Sequence, residues 1–431
     1  MIRLALAALA LLAACSARDP VRPGALPPDP ALYAAVPSGH TAWSNASLAR
    51  LFVTLTHETE WGGEQRYLVR LEPPVTVAME GRIAPQYRRF VGDYLGFLRR
   101  EAGLAIGLGV TDPNLFLRFV PGAEFEAALP AAACVVAPGN LRWDRFRKAP
   151  DKLGGMAMLE VRSIEAVTVF IPDAAIPADI RRCLIEEIAQ SLGPRNDLYG
   201  LGPSIFNDDF GHLWPTRLDL LMLRLLYAPG MEGGLSRRET EARARAVLAR
   251  INPSGHSAPP LPDPKSALPS GWRRQIAQTA TRAGSGASRQ AAAEQALALA
   301  RAAPRGPALC HSLATLGALA RLETPNRAAR LLAEATEVCT AQHGPDDPRV
   351  LTLALSRAGL ALKRGDPKTA LALSDPLPRR LAAHGLDEAL ASVYAIRRRA
   401  LDALGRTAEA DAATAQARAW SAYAFGISRT P

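Results

Sequence analysis

The feature that most constrains the fold of this chain is an amphipathic helix predicted over residues 178–192. The segment starts after Pro177 and stops at Gly193-Pro194, a glycine C-cap followed by a residue that cannot continue a helix. Its apolar side chains recur at three- and four-residue intervals: Ile180, Cys183, Leu184, Ile188 and Leu192. Three polar residues lie off this stripe, namely Glu186, Glu187 and Gln190. We therefore expect one side of the helix in a core and the polar side facing solvent, a cleft or a partner.

The segments around this helix predict a domain built from strands and helices. An apolar face over residues 85–102 ends at Gly103 and predicts a second helix. Thr216-x-x-Asp219 and Ser236-x-x-Glu239 are N-cap signatures that predict two more. Strands are favoured over six short apolar or alternating stretches: 67–71, 74–79, 114–120, 134–136, 156–161 and 166–171. Residues 43–251 are thus predicted to form one α+β domain with a mixed sheet.

The second half of the chain is predicted to be an all-helical domain. Residues 252–270 are rich in proline with little apolar periodicity, which indicates an interdomain linker. Over residues 271–425 two patterns recur with a period of about 40 residues, which is typical of stacked helical hairpins. The recurring residues are Ala328, Ala370 and Ala410, and His343-Gly344 with His384-Gly385. This region resembles the longer tetratricopeptide repeats, and the resemblance implies a surface that binds a protein partner.

The first residues predict export and attachment to a lipid. A basic start precedes an apolar run, Leu4 to Leu12, that is too short to span a bilayer. Leu12-Ala13-Ala14-Cys15 resembles the lipobox of bacterial lipoproteins, which implies a signal peptide over residues 1–14 and a lipidated Cys15. Ser16 then favours sorting to the outer membrane of a Gram-negative bacterium, facing the periplasm. The Pro-rich residues 15–42 predict a tether, and a plain signal peptide with a chance cysteine is the alternative.

Export would place the other four cysteines in an oxidising compartment, where an even number favours disulfides. Sequence alone leaves three pairings open. We prefer Cys134 with Cys183 and Cys310 with Cys339, because each pair then stays within one predicted domain. Cys310 and Cys339 also lie equally far from a turn near Thr324, so two antiparallel helices would place them side by side. Buried free thiols are the alternative for the second pair.

The formal net charge of +10 bears on the partners of the chain. Long-range attraction favours anionic partners, and in an exported protein these are anionic envelope polymers and lipid headgroups rather than nucleic acid. The alternative is a compositional bias that spreads arginines over solvated helix faces. We therefore expect association with a membrane and no binding of nucleic acid.

The first domain resembles an uncharacterised family of proteobacterial lipoproteins that is catalogued as a domain of unknown function (2927). The resemblance runs over residues 45–232. It is carried by six elements: residues 70–77, Asn114, the Cys134 and Cys183 pair, residues 183–193, residues 204–209 and residues 218–227. The family implies a lipoprotein and carries no established activity.

A more distant resemblance is to metzincin peptidases. Their zinc-binding helix carries an H-E-x-x-H motif, which here corresponds to Glu186-Glu187-x-x-Gln190. Asn196 stands at the third ligand position, Ser204 to Phe206 at the Met-turn, and Leu226-Tyr227 at the end of the closing helix. The resemblance implies a zincin-like fold in which Glu187 keeps the position of the general base. All three histidine positions hold oxygen donors, Glu186, Gln190 and Asn196, so we expect no zinc site and no cofactor, and a hard metal ion is the alternative.

These patterns favour a catalytically inactive, zincin-like binding or assembly module, a pseudoprotease displaying helical repeats. An envelope hydrolase acting on peptide or peptidoglycan is the alternative, with Glu187 as general base and a metal held by Glu186, Gln190 and either His212 or Asp208. A third hypothesis is a purely structural lipoprotein. A second motif follows the one on the predicted helix 178–192, and its residues are Ser204, Phe206, Asn207, Asp208, Asp209 and Asp219.

Overall fold

The computed structural model describes residues 43–426, apart from 60–62, 131, 155, 156, 158, 160, 208–210, 262–267, 281–284, 305 and 322. The predicted signal peptide, the tether with Cys15, and the motif residues Asp208 and Asp209 lie outside the described residues.

A five-stranded mixed sheet forms the centre of the first domain, as the sequence predicts. The strands are β1 (Val75–Gly81), β2 (Ile106–Leu108), β3 (Leu115–Val120), β4 (Val135–Pro138) and β5 (Val167–Pro172). Their order is β2-β1-β3-β5-β4, and all neighbours are parallel except β4, which pairs antiparallel with β5 at one edge. Strands β3 and β5 are buried almost throughout, because parallel strands need both faces of the sheet covered.

Helices cover both faces of this sheet. Those described are α1 (Asn45–His57), α2 (Pro85–Ala102), α3 (Gly122–Ala128), α4 (Trp143–Phe146), α5 (Pro150–Leu153), α6 (Pro177–Leu192), α7 (Arg217–Leu226) and α8 (Arg237–Ile251). One continuous apolar core runs from Leu48 in α1 to Leu248 in α8. A short 3-10 helix, Pro253–His256, follows α8, and the Asn45 side chain donates to Asn252 O at 3.0 Å. The start of the predicted linker is therefore packed against the first domain.

Two of the predicted strands are not found among the residues that the structure describes. Residues 67–71 make only isolated bridges, Tyr67 with Ser236 and Leu71 with Ile164. Leu68 and Val69 are both fully buried, so this segment fills the core on two sides instead of alternating. In the predicted strand 156–161, the described residues 157, 159 and 161 lie outside any strand.

The second half of the chain is helical. Its helices are α9 (Trp272–Ala280), α10 (Gly286–Ala302), α11 (Pro307–Ala320), α12 (Pro325–His343), α13 (Pro348–Lys363), α14 (Pro367–Ser374), α15 (Leu377–Ala383), α16 (Asp387–Ala403) and α17 (Thr407–Phe425). Helix α11 packs on α12, α13 on α14, and α16 on α17. Ala328, Ala370 and Ala410 are all buried at these contacts, where a small side chain lets two helices approach closely.

Both preferred disulfides are present. Cys134 pairs with Cys183, which joins the segment before β4 to α6, with the two Cα atoms 6.0 Å apart. Cys310 pairs with Cys339 between α11 and α12, with a Cα separation of 5.1 Å. Among the described helices, none is both long and apolar enough to cross a bilayer.

Candidate functional site

Helix α6, which carries Glu186, Glu187 and Gln190, is fixed firmly in the first domain. It begins with Pro177 at its first turn and packs against β5. The Tyr94 hydroxyl of α2 donates to Ile185 O at 3.1 Å. After the helix the chain turns at Gly193, where a Cβ would lie 2.8 Å from Leu226 Cδ2 and 3.3 Å from Val69 O. The turn therefore needs glycine, and it directs the chain towards Asn196.

Two of the positions that the metzincin resemblance assigns to ligands, Gln190 and Asn196, are tied to other parts of the protein. Gln190 Nε2 donates to Asp197 Oδ2 at 2.7 Å, and Asn196 Nδ2 donates to Thr54 O of α1 at 3.0 Å. Two of the three positions thus hydrogen-bond to different parts of the protein. Glu187, at the general-base position, is buried with 9% of its surface exposed. The amide groups of Gln190 and Asn196 are therefore already used to fix the turn after α6.

Glu186 lines a cleft. The hydrolase alternative is the hypothesis that groups Glu186 with His212, which also lines it. The cleft is small, with about 20 Å³ of room for the centres of water-sized molecules. Its polar lining is Glu186, Arg182, Asn207 and His212, and its apolar lining is Ile185, Ile205 and Leu213. The structure thus brings Glu186, Asn207 and His212 together, whereas Glu187 does not line this cleft. Within the described part of the chain, no group of three or more His, Cys, Asp or Glu side chains is placed to hold a metal ion.

The second motif fixes the loop that carries Asn207 and His212. The buried Asp219 carboxylate accepts hydrogen bonds from Ser204 Oγ at 2.5 Å and from the Ile205 amide at 3.1 Å. It also accepts from the amide and the hydroxyl of Thr216, which caps α7. Burial raises the pKa of Asp219, while these hydrogen bonds oppose the rise. Ser204, Asp219 and the fully buried Phe206 therefore hold the loop in place and are not exposed for chemistry.

The helical region contacts α6 through two ion pairs that the sequence analysis did not predict. Arg181 donates to Asp387 Oδ2 at 2.8 Å and to Tyr423 O at 3.1 Å, and its guanidinium lies 3.9 Å from the centre of the Tyr423 ring. Arg182 donates to Glu388 at 2.9 Å. Burial raises the pKa of Asp387 to about 6, against the opposing effect of Arg181. The sequence carries no local signal for these pairs, because Asp387 and Glu388 are 206 positions away in the chain.

A tryptophan lies on a glycine beside these ion pairs. Trp214, from the loop before α7, contacts Phe90, Tyr94 and Phe97 of α2. On its other side it lies against Gly385, where a Cβ would come within 2.4 Å of the indole ring. The glycine of the second His-Gly motif, Gly385, is therefore the residue against which Trp214 of the first domain packs.

Two histidines from different halves of the chain meet at the same junction. His212 Nε2 lies 3.6 Å from Asp347 Oδ2, and the His212 and His384 rings are 5.8 Å apart. His384 Nε2 donates to Asp346 O at 2.8 Å. Burial acting alone would raise the pKa of Asp347, but hydrogen bonds from Arg349 and the nearby His212 imidazole hold it below its usual range.

A second contact between the halves involves Tyr199. Its ring meets Trp272 edge-on, with centroids 5.3 Å apart, and also contacts His311. The neighbouring Gly200 lies against Pro307, which leaves no room for a side chain. The helical region thus contacts the loop between α6 and α7 near both of its ends.

Acid should weaken this junction through His384. Burial, and then the nearby His212, lower the pKa of His384 to about 4. The imidazole of an unfolded chain titrates near 6.5, so the stability that neutral His384 contributes is complete above about pH 6.5 and is lost as pH falls towards 4. We expect the wild-type chain to lose up to about 1.4 kcal/mol per pH unit more in this range than His384→Gln. Thermal midpoints of both proteins at pH 7 and pH 5 would measure this; equal losses would contradict it, since Asp387 titrates in both.

Residues 45–246 match the family described as "Protein of unknown function (DUF2927)", so the chain carries that domain. No curated protein and no solved structure matches the chain. The match covers the sheet, α6, the loop with His212 and most of α8, and it ends before the helical region.

Proposed function

We propose that this protein is a membrane-anchored cell-envelope lipoprotein whose first domain is a catalytically inactive, zincin-like binding module. The observation that carries the proposal is that Gln190 and Asn196, at two of the zinc-ligand positions of metzincins, form hydrogen bonds within the fold. Gln190 and Asn196 each bond to a different part of the fold, and a zinc-bound water needs about three protein ligands around one point. The mixed sheet followed by α6 supports the zincin-like interpretation of the fold.

The helical region supports the second half of the proposal, which is binding of a protein partner. Its packing against the first domain uses the first turn of α16 and the end of α17, which contact α6, and the loops around Asp347 and Gly385, which contact His212 and Trp214. The helix faces away from these contacts are the surface that we assign to a partner. Because the buried Arg181–Asp387 ion pair joins the two halves, a partner held by the helices would be held in a fixed position relative to α6.

A metal-assisted hydrolase is the second candidate, and the cleft shared by Glu186, Asn207 and His212 favours it. Glu186 and His212 would supply two ligands there, and Asp208, outside the described residues, is the candidate for a third. The bound metal would supply an acidified water. Glu187 fits the role of general base poorly because it is buried and does not line the cleft.

Metal content distinguishes the two candidates. The mature chain with Cys15→Ser, purified without a histidine tag after incubation with zinc, calcium and manganese, would be measured by elemental mass spectrometry. We expect no stoichiometric metal, and the same result for a Glu186→Ala, Gln190→Ala variant. A Glu186→Ala, His212→Ala variant is the matched control for the cleft. Stoichiometric metal that either variant loses would contradict the inactive-module proposal and support the hydrolase.

A further inference from the structure

The outward face of α2 carries four arginines. Arg88, Arg89, Arg99 and Arg100 are all exposed, and the two pairs are eleven residues apart, which places them on the same side of the helix three turns apart. None of the four forms an ion pair with any residue that the structure describes, whereas arginines such as Arg181, Arg349 and Arg406 do. Gly92 and Gly96 lie between the pairs, and the side chains of Arg99 and Arg100 lie over Gly96, with guanidinium nitrogens 3.6 and 3.5 Å from the position of a Cβ there.

The most exposed large apolar residues lie beside these arginines. Val110 is 91% exposed and Leu108 is 47% exposed, at the end of the edge strand β2. Leu108 Cδ1 is 3.7 Å from the position of a Cβ on Gly92, and Arg99 donates to Ile106 O at 2.8 Å. We call these six residues the α2–β2 surface: Arg88, Arg89, Arg99, Arg100, Leu108 and Val110.

The composition of the α2–β2 surface favours an anionic bilayer as its occupant. Four guanidiniums stand against three carboxylates of the same segments, Asp93, Glu101 and Asp112, which leaves the surface with a small positive charge. Guanidinium groups bind phosphate oxygens well, and cations near an anionic leaflet are attracted to it. Two exposed apolar side chains lie at the same place. They would be stabilised by entering the interface of a bilayer, whereas a soluble polyanion offers no apolar phase for them.

We propose that the α2–β2 surface docks the protein on anionic phospholipid headgroups, with Leu108 and Val110 entering the interface. This docking would act together with the lipid on Cys15 and would orient the first domain on the membrane. The inference rests on the proposed function only for the presence of that membrane, since the contact itself needs no lipid anchor.

The test uses the whole mature chain with Cys15→Ser, so that no lipid anchor contributes. Sedimentation would measure its binding to vesicles of phosphatidylglycerol mixed with phosphatidylcholine, and to vesicles of phosphatidylcholine alone. We expect binding to the anionic vesicles only. Arg89→Ser with Arg100→Ser should weaken it by roughly 30-fold, and Leu108→Ser with Val110→Ser by about tenfold.

Matched controls separate this surface from the net charge of the chain. Arg399→Ser with Arg418→Ser removes the same charge from exposed positions of the helical region and should change binding by less than about twofold. Equal weakening by both arginine pairs would overturn the proposal in favour of non-specific attraction. So would absent vesicle binding, or binding that is indifferent to Leu108 and Val110, which would indicate a soluble polyanion. Lipid labelling of Cys15 in cells tests the anchor separately, so a failed anchor and a failed surface give different results.

Discussion

Replacing Asp219 by alanine should lower the free energy of unfolding by about 4 kcal/mol, the largest effect that we expect from any single exposed or buried carboxylate in the first domain. The reason is that three donors depend on this one side chain: Ser204 Oγ, the Ile205 amide and the Thr216 amide, whereas the Thr216 hydroxyl can donate to Pro203 O instead. All lie in a buried region where water cannot replace the lost acceptor, and each unsatisfied donor costs about 1 kcal/mol or more. Urea denaturation followed by circular dichroism would measure the loss.

The chain contains its own control for this prediction. Ser236 and Glu239 form a second capping box at the start of α8, with the same reciprocal hydrogen bonds but in an exposed position. Glu239→Ala should cost much less than Asp219→Ala, because Glu239 is exposed and water can take over its hydrogen bonds. If the two substitutions cost the same, burial of Asp219 does not matter to stability and our account of the loop is wrong.

Replacing Arg181 by methionine should weaken the junction between the halves by about 3 kcal/mol at pH 8. The substitution leaves the Asp387 carboxylate buried without its cation, which is much more costly than losing an exposed pair. Because burial already raises the pKa of Asp387 to about 6, the lone carboxyl group should become protonated in the variant when the pH is lowered. Its penalty is therefore greatest at high pH and shrinks as the pH falls through the raised pKa.

Two further variants test this interpretation. Arg181→Met combined with Asp387→Leu removes both charges and should recover most of the lost stability. Arg182→Met removes the cation of the more exposed pair with Glu388 and should cost at most about 1 kcal/mol. Proteolysis in the 252–270 segment at pH 8 and pH 6 would report how often the halves separate. Equal cleavage of the single and the double variant would show that the buried charge is not the cause.

Local signals in the sequence predict those parts of the fold that depend on near neighbours. Helix α2 is confirmed at the predicted bounds, since its apolar period and its Gly103 cap, with φ of 69°, lie within the segment itself. The segment 67–71 is wrong as a strand because its partners, Ser236 and Ile164, are distant in the chain. Its alternating pattern of apolar and polar residues predicts one buried face, whereas the neighbouring Leu68 and Val69 are both buried.

The candidate site shows the same division. The sequence locates α6 and its polar residues, and it names His212 as one alternative partner of Glu186. It does not show that Gln190 would bond to Asp197 instead, because that depends on the turn at Gly193. The pairing of Arg181 with Asp387 joins residues 206 positions apart, and only the docking of the two halves decides it.

The contact of Trp214 with Gly385 links the sequence of the first domain to the presence of the helical region. The matched family segment ends at residue 246 and so includes the indole and Arg181 but neither the glycine nor the carboxylate that receive them. A relative that keeps this domain without the helices would expose an indole and an unneutralised guanidinium. We therefore expect such relatives to carry other residues at these two positions, and expect residues 181 and 387, like 214 and 385, to change together where the helices are retained.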